Sequence, residues 1–216
     1  MNKKSKKDLY LSALLIAAFV LWTLAVTFVN VNAIGPNGSA VGFSSLNLYF
    51  HKLTKVNLSL YYITDWLGIV PVLVAACFGA LGVAQWIKRK NLSSVDYNIF
   101  ILGGFYVTVI AVYILFEIVT INYRPVLIGG VLETSYPSST TLLVISVMST
   151  AIMQARCRIK NVTVKKLVSL LITLFIVFMV VGRIISGVHW ITDIIGGILL
   201  STGLVIMYRY FVKIKE

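Results

Sequence analysis

His189 and Asp193 stand four residues apart. If one helix carries both, they share a face. The carboxylate then accepts the imidazole N–H, sets the tautomer and leaves the other ring nitrogen free as a nucleophile or base. Arg183 lies six residues before His189, and Arg124 directly precedes Pro125. Tyr136-Pro137-Ser138-Ser139-Thr140-Thr141 places a proline ahead of a Ser/Thr run, which reads as a helix start. A helix start offers free N–H groups and a positive dipole end to an anion. Two guanidinium groups, such a helix end and a His–Asp pair, brought to one side of a protein, would hold a phosphoryl group and attack it. Taken singly, each feature has a plainer reading. Arginines snorkel at lipid interfaces, a His–Asp pair can be structural, and a Ser/Thr run can simply cap a helix.

The elements that must position these residues are apolar. Of the 216 residues 59% are hydrophobic and only 12% charged, with a mean hydropathy of +0.93. A soluble domain is about 25% charged, so an ordinary soluble globule, a disordered tail and a collagen are excluded. Six apolar stretches, at about 9–31, 61–87, 98–121, 138–155, 167–187 and 190–212, each have the length of a membrane span. The expected fold is all-α, a six-transmembrane helical bundle forming a single membrane domain over 1–216. The first stretch follows Lys3, Lys4, Lys6 and Lys7 and precedes Val31-Asn32-Ala33, which resembles a signal cleavage site. Its apolar part exceeds the roughly 7–15 residues of a signal peptide, so a retained helix is expected.

The net charge of +12 is an orientation signal. Lys3, Lys4, Lys6 and Lys7, then Lys88, Arg89 and Lys90, then Arg156, Arg158, Lys160, Lys165 and Lys166, and finally Arg209, Lys213 and Lys215 all fall on one side of the six-span layout. Only Lys52, Lys55, Arg124 and Arg183 remain for the other. The positive-inside rule then puts both termini in the cytoplasm of an integral plasma-membrane protein and the candidate site outside. Anionic lipid headgroups on the cytoplasmic side are the expected partners of this charge. Nucleic acid is not, and no protein partner is indicated. The long outer connection, about 32–60, mixes apolar and polar residues from Phe43 to Tyr62, which suits an amphipathic helix at the lipid interface or a solvated loop. His51, the second of two histidines, lies there and is expected outside the site. Trp66, Trp86 and Trp190 fall near span ends, as aromatic belts do. Cys77 and Cys157 lie on different levels, so no disulfide is expected, and no Cys/His spacing resembles a metal site.

The motifs resemble those of the type-2 phosphatidate phosphatase superfamily, integral-membrane lipid phosphatases with a three-part signature. Its third part, S-R-x5-H-x3-D, is similar to Gly182-Arg183, His189 and Asp193, with only the leading Ser lost. Its first, K-x6-R-P, is similar to Arg124-Pro125, with Glu117 where Lys is expected. Its second, P-S-G-H, is similar to Pro137-Ser138-Ser139-Thr140, with Thr140 in place of His.

The resemblance implies that His189 attacks phosphorus and forms a phosphohistidine, that Asp193 orients it, and that Arg124, Arg183, Ser138 and Ser139 hold the phosphoryl oxygens. No metal or cofactor is implied. The family's general acid, a His, would be Thr140, and one cation would be replaced by Glu117. Three readings stay open. The chain is a phosphatase or phosphotransferase for a polyprenyl or glycerolipid (di)phosphate of the cell envelope, favouring diphosphates such as undecaprenyl diphosphate because their leaving group needs little protonation. Alternatively, a protonated Glu117 replaces the acid. In the third reading the site is catalytically reduced and binds, transports or senses a phosphorylated lipid. An ionised Glu117 needs a partner, and a contact with Arg124 or Arg183 is expected.

Overall fold

Among the described residues eight α-helices carry the chain: α1 (Lys3–Phe28), α2 (Ser44–Thr54), α3 (Leu58–Leu67), α4 (Ile69–Arg89), α5 (Tyr97–Ile118), α6 (Ser139–Arg158), α7 (Val162–Ser186) and α8 (Ile191–Ile214). The computed structural model describes residues 3–214, with side chains from residue 5. Lys215 and the side chains of Lys3 and Lys4, part of the charge pattern above, lie outside it. Among the described residues there is no strand, only isolated β-bridges. Six segments are long and apolar enough to cross a membrane: Ser5–Phe28, Leu58–Arg89, Tyr97–Ile118, Ser139–Arg158, Val162–Ser186 and Ile191–Ile214. They coincide closely with the six apolar stretches of the sequence, and the protein is an integral membrane protein built as a six-span bundle.

Local chemistry explains the helix limits. Asn57, Ser138 and Asn161 each accept a bond from a first-turn amide, capping α3, α6 and α7. Within the second span, α3 stops at Leu67 and α4 begins at Ile69. Pro71 has no N–H to give the Leu67 carbonyl, so the helix breaks there. Gly187 ends α7 with φ +64. A Cβ at that position would strike the Lys55 carbonyl, so glycine serves both the left-handed turn and the close approach of the α2–α3 connection.

The interior helices are α6 and α8, about half buried along their apolar lengths, whereas the other spans are mostly exposed. α6 packs on α4, α5, α7 and α8, and α1 runs along α8. Small residues make this approach possible. A Cβ at Gly196 would come within 2.7 Å of the Tyr136 ring, and one at Gly197 within 3.1 Å of Thr141. The segment leading into α6 therefore lies directly on α8. Tyr136 anchors it, stacking on Phe19 and meeting Phe116 edge-on, with its hydroxyl 2.7 Å from Thr23 Oγ1.

Two connections shape the end of the bundle where the candidate residues gather. Of the two forms expected for 43–62, the helical one is seen, as α2 and the start of α3. The buried face of α2 is polar: Asn47 Nδ2 donates to the Gly42 carbonyl (2.8 Å) and to Thr192 Oγ1 (3.0 Å). Its apolar residues Leu46, Tyr49 and Leu53 are exposed. Between α5 and α6 the chain doubles back through a hairpin-like loop. Arg124 N donates to the Glu133 carbonyl, and Ser135 N to the Asn122 carbonyl. Gly129 and Gly130, both at positive φ, form the reversal at its tip. The two thiols, Cys77 in α4 and Cys157 in α6, are free.

Candidate functional site

His189 lies in the short connection between α7 and α8, and Asp193 in the first turn of α8. The helix begins at Ile191, so the two are not on one helical face as the spacing suggested. Their nearest approach, Nδ1 to Oδ2, is 3.9 Å, too long for the expected direct hydrogen bond. Ser135 fills the gap. Its hydroxyl donates to Asp193 Oδ2 at 2.5 Å and stands 3.0 Å from His189 Nδ1. With its one proton on Asp193, that oxygen accepts from Nδ1–H, and the Ser135 backbone also acts on the ring as an acceptor. Both contacts put the imidazole proton on Nδ1 and the lone pair on Nε2.

Asp193 is fully buried and held from several directions. Besides Ser135 it accepts from the Trp190 amide (3.0 Å) and from Asn122 Nδ2 (3.2 Å), with Thr192 Oγ1 at 3.5 Å. Trp190 Nε1 in turn donates to the Tyr123 carbonyl at 2.8 Å. The hairpin-like loop is thus tied to the α7–α8 connection through both the carboxylate and the indole.

Arg183, at the end of α7, and Arg124, on the loop, stack on the same ring. Their Cζ atoms stand 5.0 and 5.5 Å from the Tyr61 centroid. Arg183 Nη2 donates to Asp65 Oδ1 (2.8 Å) and to Thr140 Oγ1 (2.7 Å). Arg124 Nε is 3.1 Å from Glu133 Oε2, within ion-pair range but not aligned as a hydrogen bond. Left without a protein partner are Arg124 Nη1, Arg183 Nε and Nη1, and His189 Nε2, all buried atoms. Burial, then the charges of Arg124 and Arg183, holds His189 well below the ordinary histidine value of 6.5. The ring is neutral and nucleophilic at Nε2 while two cations face it.

The remaining expected residues divide. Thr140 is at the site, bonded to Arg183. The Ser138 amide is spent on the Asp193 carbonyl (3.0 Å). Its hydroxyl caps α6, accepting from Thr141 N and Thr141 Oγ1. The Ser138 amide is therefore not available to an anion, its hydroxyl keeps one O–H to donate, and the first-turn amides of Ser139 and Thr140 are those the helix leaves over. Ser139 itself borders a small cavity with Tyr113, Glu117 and Thr134. Glu117 corrects another expectation. It is exposed at the end of α5, accepts from Thr134 Oγ1 at 2.9 Å, and touches neither arginine. Those two already hold Glu133 and Asp65. His51, expected elsewhere, borders a cavity with His189. Among the described residues no three His, Cys, Asp or Glu side chains are grouped as metal ligands would be.

Ser135, Asp65, Glu133, Asn122 and Tyr61 escaped the sequence reading. Only Ser135, beside the Tyr136-Pro137 helix-start signal, and the Gly129-Gly130 turn that returns the chain to it were within reach of local pattern.

A buried His with a relayed carboxylate and two facing arginines, at one end of a six-helix membrane bundle, defines the class. Residues 108–216 match the PAP2 superfamily, and the chain belongs to that family. The fold is similar to that of a solved structure described as the first transmembrane PAP2 type phosphatidylglycerolphosphate phosphatase from Bacillus subtilis. The TM-score is 0.63, at 18% sequence identity, covering 96% of this chain and 98% of that one. Comparison with curated proteins finds no match.

Proposed function

We propose that this chain is a metal-independent lipid phosphatase or phosphotransferase working through a phosphohistidine on His189. The observation that carries the reading is the set of unpartnered polar atoms: a nucleophilic Nε2 beside Arg124 Nη1 and Arg183 Nε and Nη1, all bound to the rest of the protein through their other atoms. Nε2 attacks phosphorus, the P–O bond to the lipid portion breaks, and the three phosphoryl oxygens lie against the guanidinium groups. Water then cleaves the P–N bond and releases phosphate, or an alcohol takes the phosphoryl group. The Ser135–Asp193 pair stabilises the charge that Nδ1–H gains during attack.

The substrate proposed is a polyprenyl or glycerolipid diphosphate of the cell envelope. Thr140 donates no proton near neutral pH, and Glu117 is bonded to Thr134, so the site favours a leaving group that needs little protonation, as a phosphate monoester does. The charge pattern supports both termini in the cytoplasm, anionic headgroups there, and a site opening outside. A second reading, binding or transport of a phosphorylated lipid without turnover, draws on Asp65 and Glu133, which already offset the charge of the two arginines.

The test is release of inorganic phosphate from lipid mono- and diphosphates in detergent, with His189→Ala alongside. Turnover of diphosphates that vanishes with His189 supports catalysis. Ligand-induced thermal stabilisation without turnover supports the binding reading and removes the enzyme one.

A further inference from the structure

Once His189 carries a phosphoryl group, hydrolysis requires a base. Water must form a bond to phosphorus and lose a proton while the P–Nε2 electron pair returns to the ring. The groups already described are poorly placed to take that proton. Arginines and Thr140 are not bases, and Asp193 accepts from Ser135, Trp190 and Asn122. Asp65 and Glu133 are paired with Arg183 and Arg124, and Glu117 with Thr134 and Tyr113.

His51 is differently placed. It sits on α2, its ring 5.5 Å from that of Trp190, and it hydrogen-bonds the Gly187 backbone. Its Nδ1 is buried and has no partner, so we assign the ring proton to Nε2, on the side of the Gly187 backbone. The lone pair is thereby left on Nδ1, and burial keeps the ring below the ordinary value of 6.5. His51, Thr54 and His189 border a cavity of about 10 Å³, closed by Phe50, Ile184, Ile191 and Ile194. That is room for one water. The polar lining is made of acceptors: His51 Nδ1, the Thr54 oxygen, whose proton goes to the Phe50 carbonyl, and, before phosphorylation, His189 Nε2. Once Nε2 carries the phosphoryl group, His51 Nδ1 and the Thr54 oxygen are the acceptors left to a water there, and Nδ1 is the one able to take its proton.

We propose that His51 is the base of the dephosphorylation step, taking the proton of the water that hydrolyses the phosphohistidine. The proposal rests on the phosphohistidine reading above. The atoms balance: the water oxygen bonds to phosphorus, its proton passes to His51 Nδ1, the P–Nε2 pair returns to His189, and His51 gives the proton to the departing phosphate. A chain without the family's motif-two His thus recovers a titrating imidazole from a helix outside the motifs.

The experiment mixes a short-chain prenyl diphosphate in detergent with wild-type protein and with His51→Gln, which keeps a donor for Gly187 and lacks the basic lone pair. The readouts are the first-turnover burst of prenyl monophosphate, steady-state phosphate release, and acid-labile phosphate on the protein. The expected result is a burst within about threefold of wild type, a steady state lower by roughly 10²-fold or more, phosphoprotein accumulating, and recovery with added imidazole. Should His51→Gln not fold, Thr54→Val, which removes a different acceptor from the cavity, is expected to accumulate phosphoprotein as well. A steady state that is unchanged, or a burst that falls in step with it, overturns the assignment of His51 while leaving the phosphohistidine intact. Turnover in wild type with no phosphoprotein, persisting in His189→Ala, overturns the phosphohistidine reading itself.

Discussion

Ser135→Ala isolates the one contact that separates this site from a plain His–Asp pair. The hydroxyl makes two buried bonds, 2.5 Å to Asp193 Oδ2 and 3.0 Å to His189 Nδ1. Without it, Nδ1–H keeps only the backbone acceptor of residue 135 and faces a carboxylate 3.9 Å away. Asp193 keeps Trp190 N and Asn122, so the carboxylate is not orphaned and the fold should hold. In the phosphohistidine mechanism proposed, the loss falls on the transition state, where attack on phosphorus puts positive charge on the ring and strengthens the Nδ1–H bond. One charge-assisted bond is worth ~1.5–3 kcal/mol, which converts to a roughly 10- to 150-fold fall in turnover. Asp193→Asn, which also reverses the tautomer preference, should cost far more, about 10⁴-fold. Affinity for inorganic phosphate should stay the same in Ser135→Ala, because Ser135 touches neither arginine. The assay is phosphate release from a lipid diphosphate, with phosphate affinity read from thermal stabilisation. Activity within about threefold of wild type would refute the relay and show that His189 and Asp193 close on each other directly in the working state.

Arg124→Ala should weaken phosphate-induced thermal stabilisation strongly, while Glu117→Gln, at an exposed carboxylate whose partners are Thr134 and Tyr113, should leave it nearly unchanged. Gly187→Ala should lower the melting temperature by the equivalent of ~1–3 kcal/mol for the left-handed backbone alone, with more from the Lys55 carbonyl in its way. His51 and His189 are both held below 6.5. From 6.5 down to their lowered values, the unfolded chain binds protons that the folded one refuses. Stability should therefore fall as pH drops below about 6.5 and be insensitive to these groups above it. Melting in detergent at stepped pH, with His51→Gln and His189→Gln expected to flatten the slope, checks this.

The six spans were legible because a membrane demands long apolar runs whatever their partners, and charge asymmetry separates their two ends. Arg124, Arg183, His189 and Asp193 were legible because type and spacing survive folding. What escaped was whatever depends on which segments meet. Gly196 and Gly197 admit the Tyr136–Thr141 segment onto α8, and that contact, not the four-residue spacing of His189 and Asp193, delivers Ser135 between them. The Glu117 expectation failed for a related reason. Seven residues before Arg124 in sequence, it is separated from it by the end of α5 and the start of the hairpin-like loop. The reversal at Gly129-Gly130 gives Arg124 a nearer carboxylate in Glu133.

That substitution of neighbours bears on the chemistry. Glu117 and Thr140 look on paper like two independent losses from one phosphate site, a cation and an acid. In the fold they are different events. Glu117 has turned to Thr134 and leaves the unpartnered atoms of both arginines untouched, so its cost to phosphate binding is long-range repulsion alone. Thr140 remains in the site and takes a bond from Arg183 Nη2 that a histidine there would compete for. Reverting Thr140→His should therefore change turnover far more than Glu117→Lys. It should do so most on monophosphates, whose alkoxide leaving group needs a proton, and least on diphosphates. Equal gains on both substrates would place the defect of this site in binding and not in leaving-group protonation.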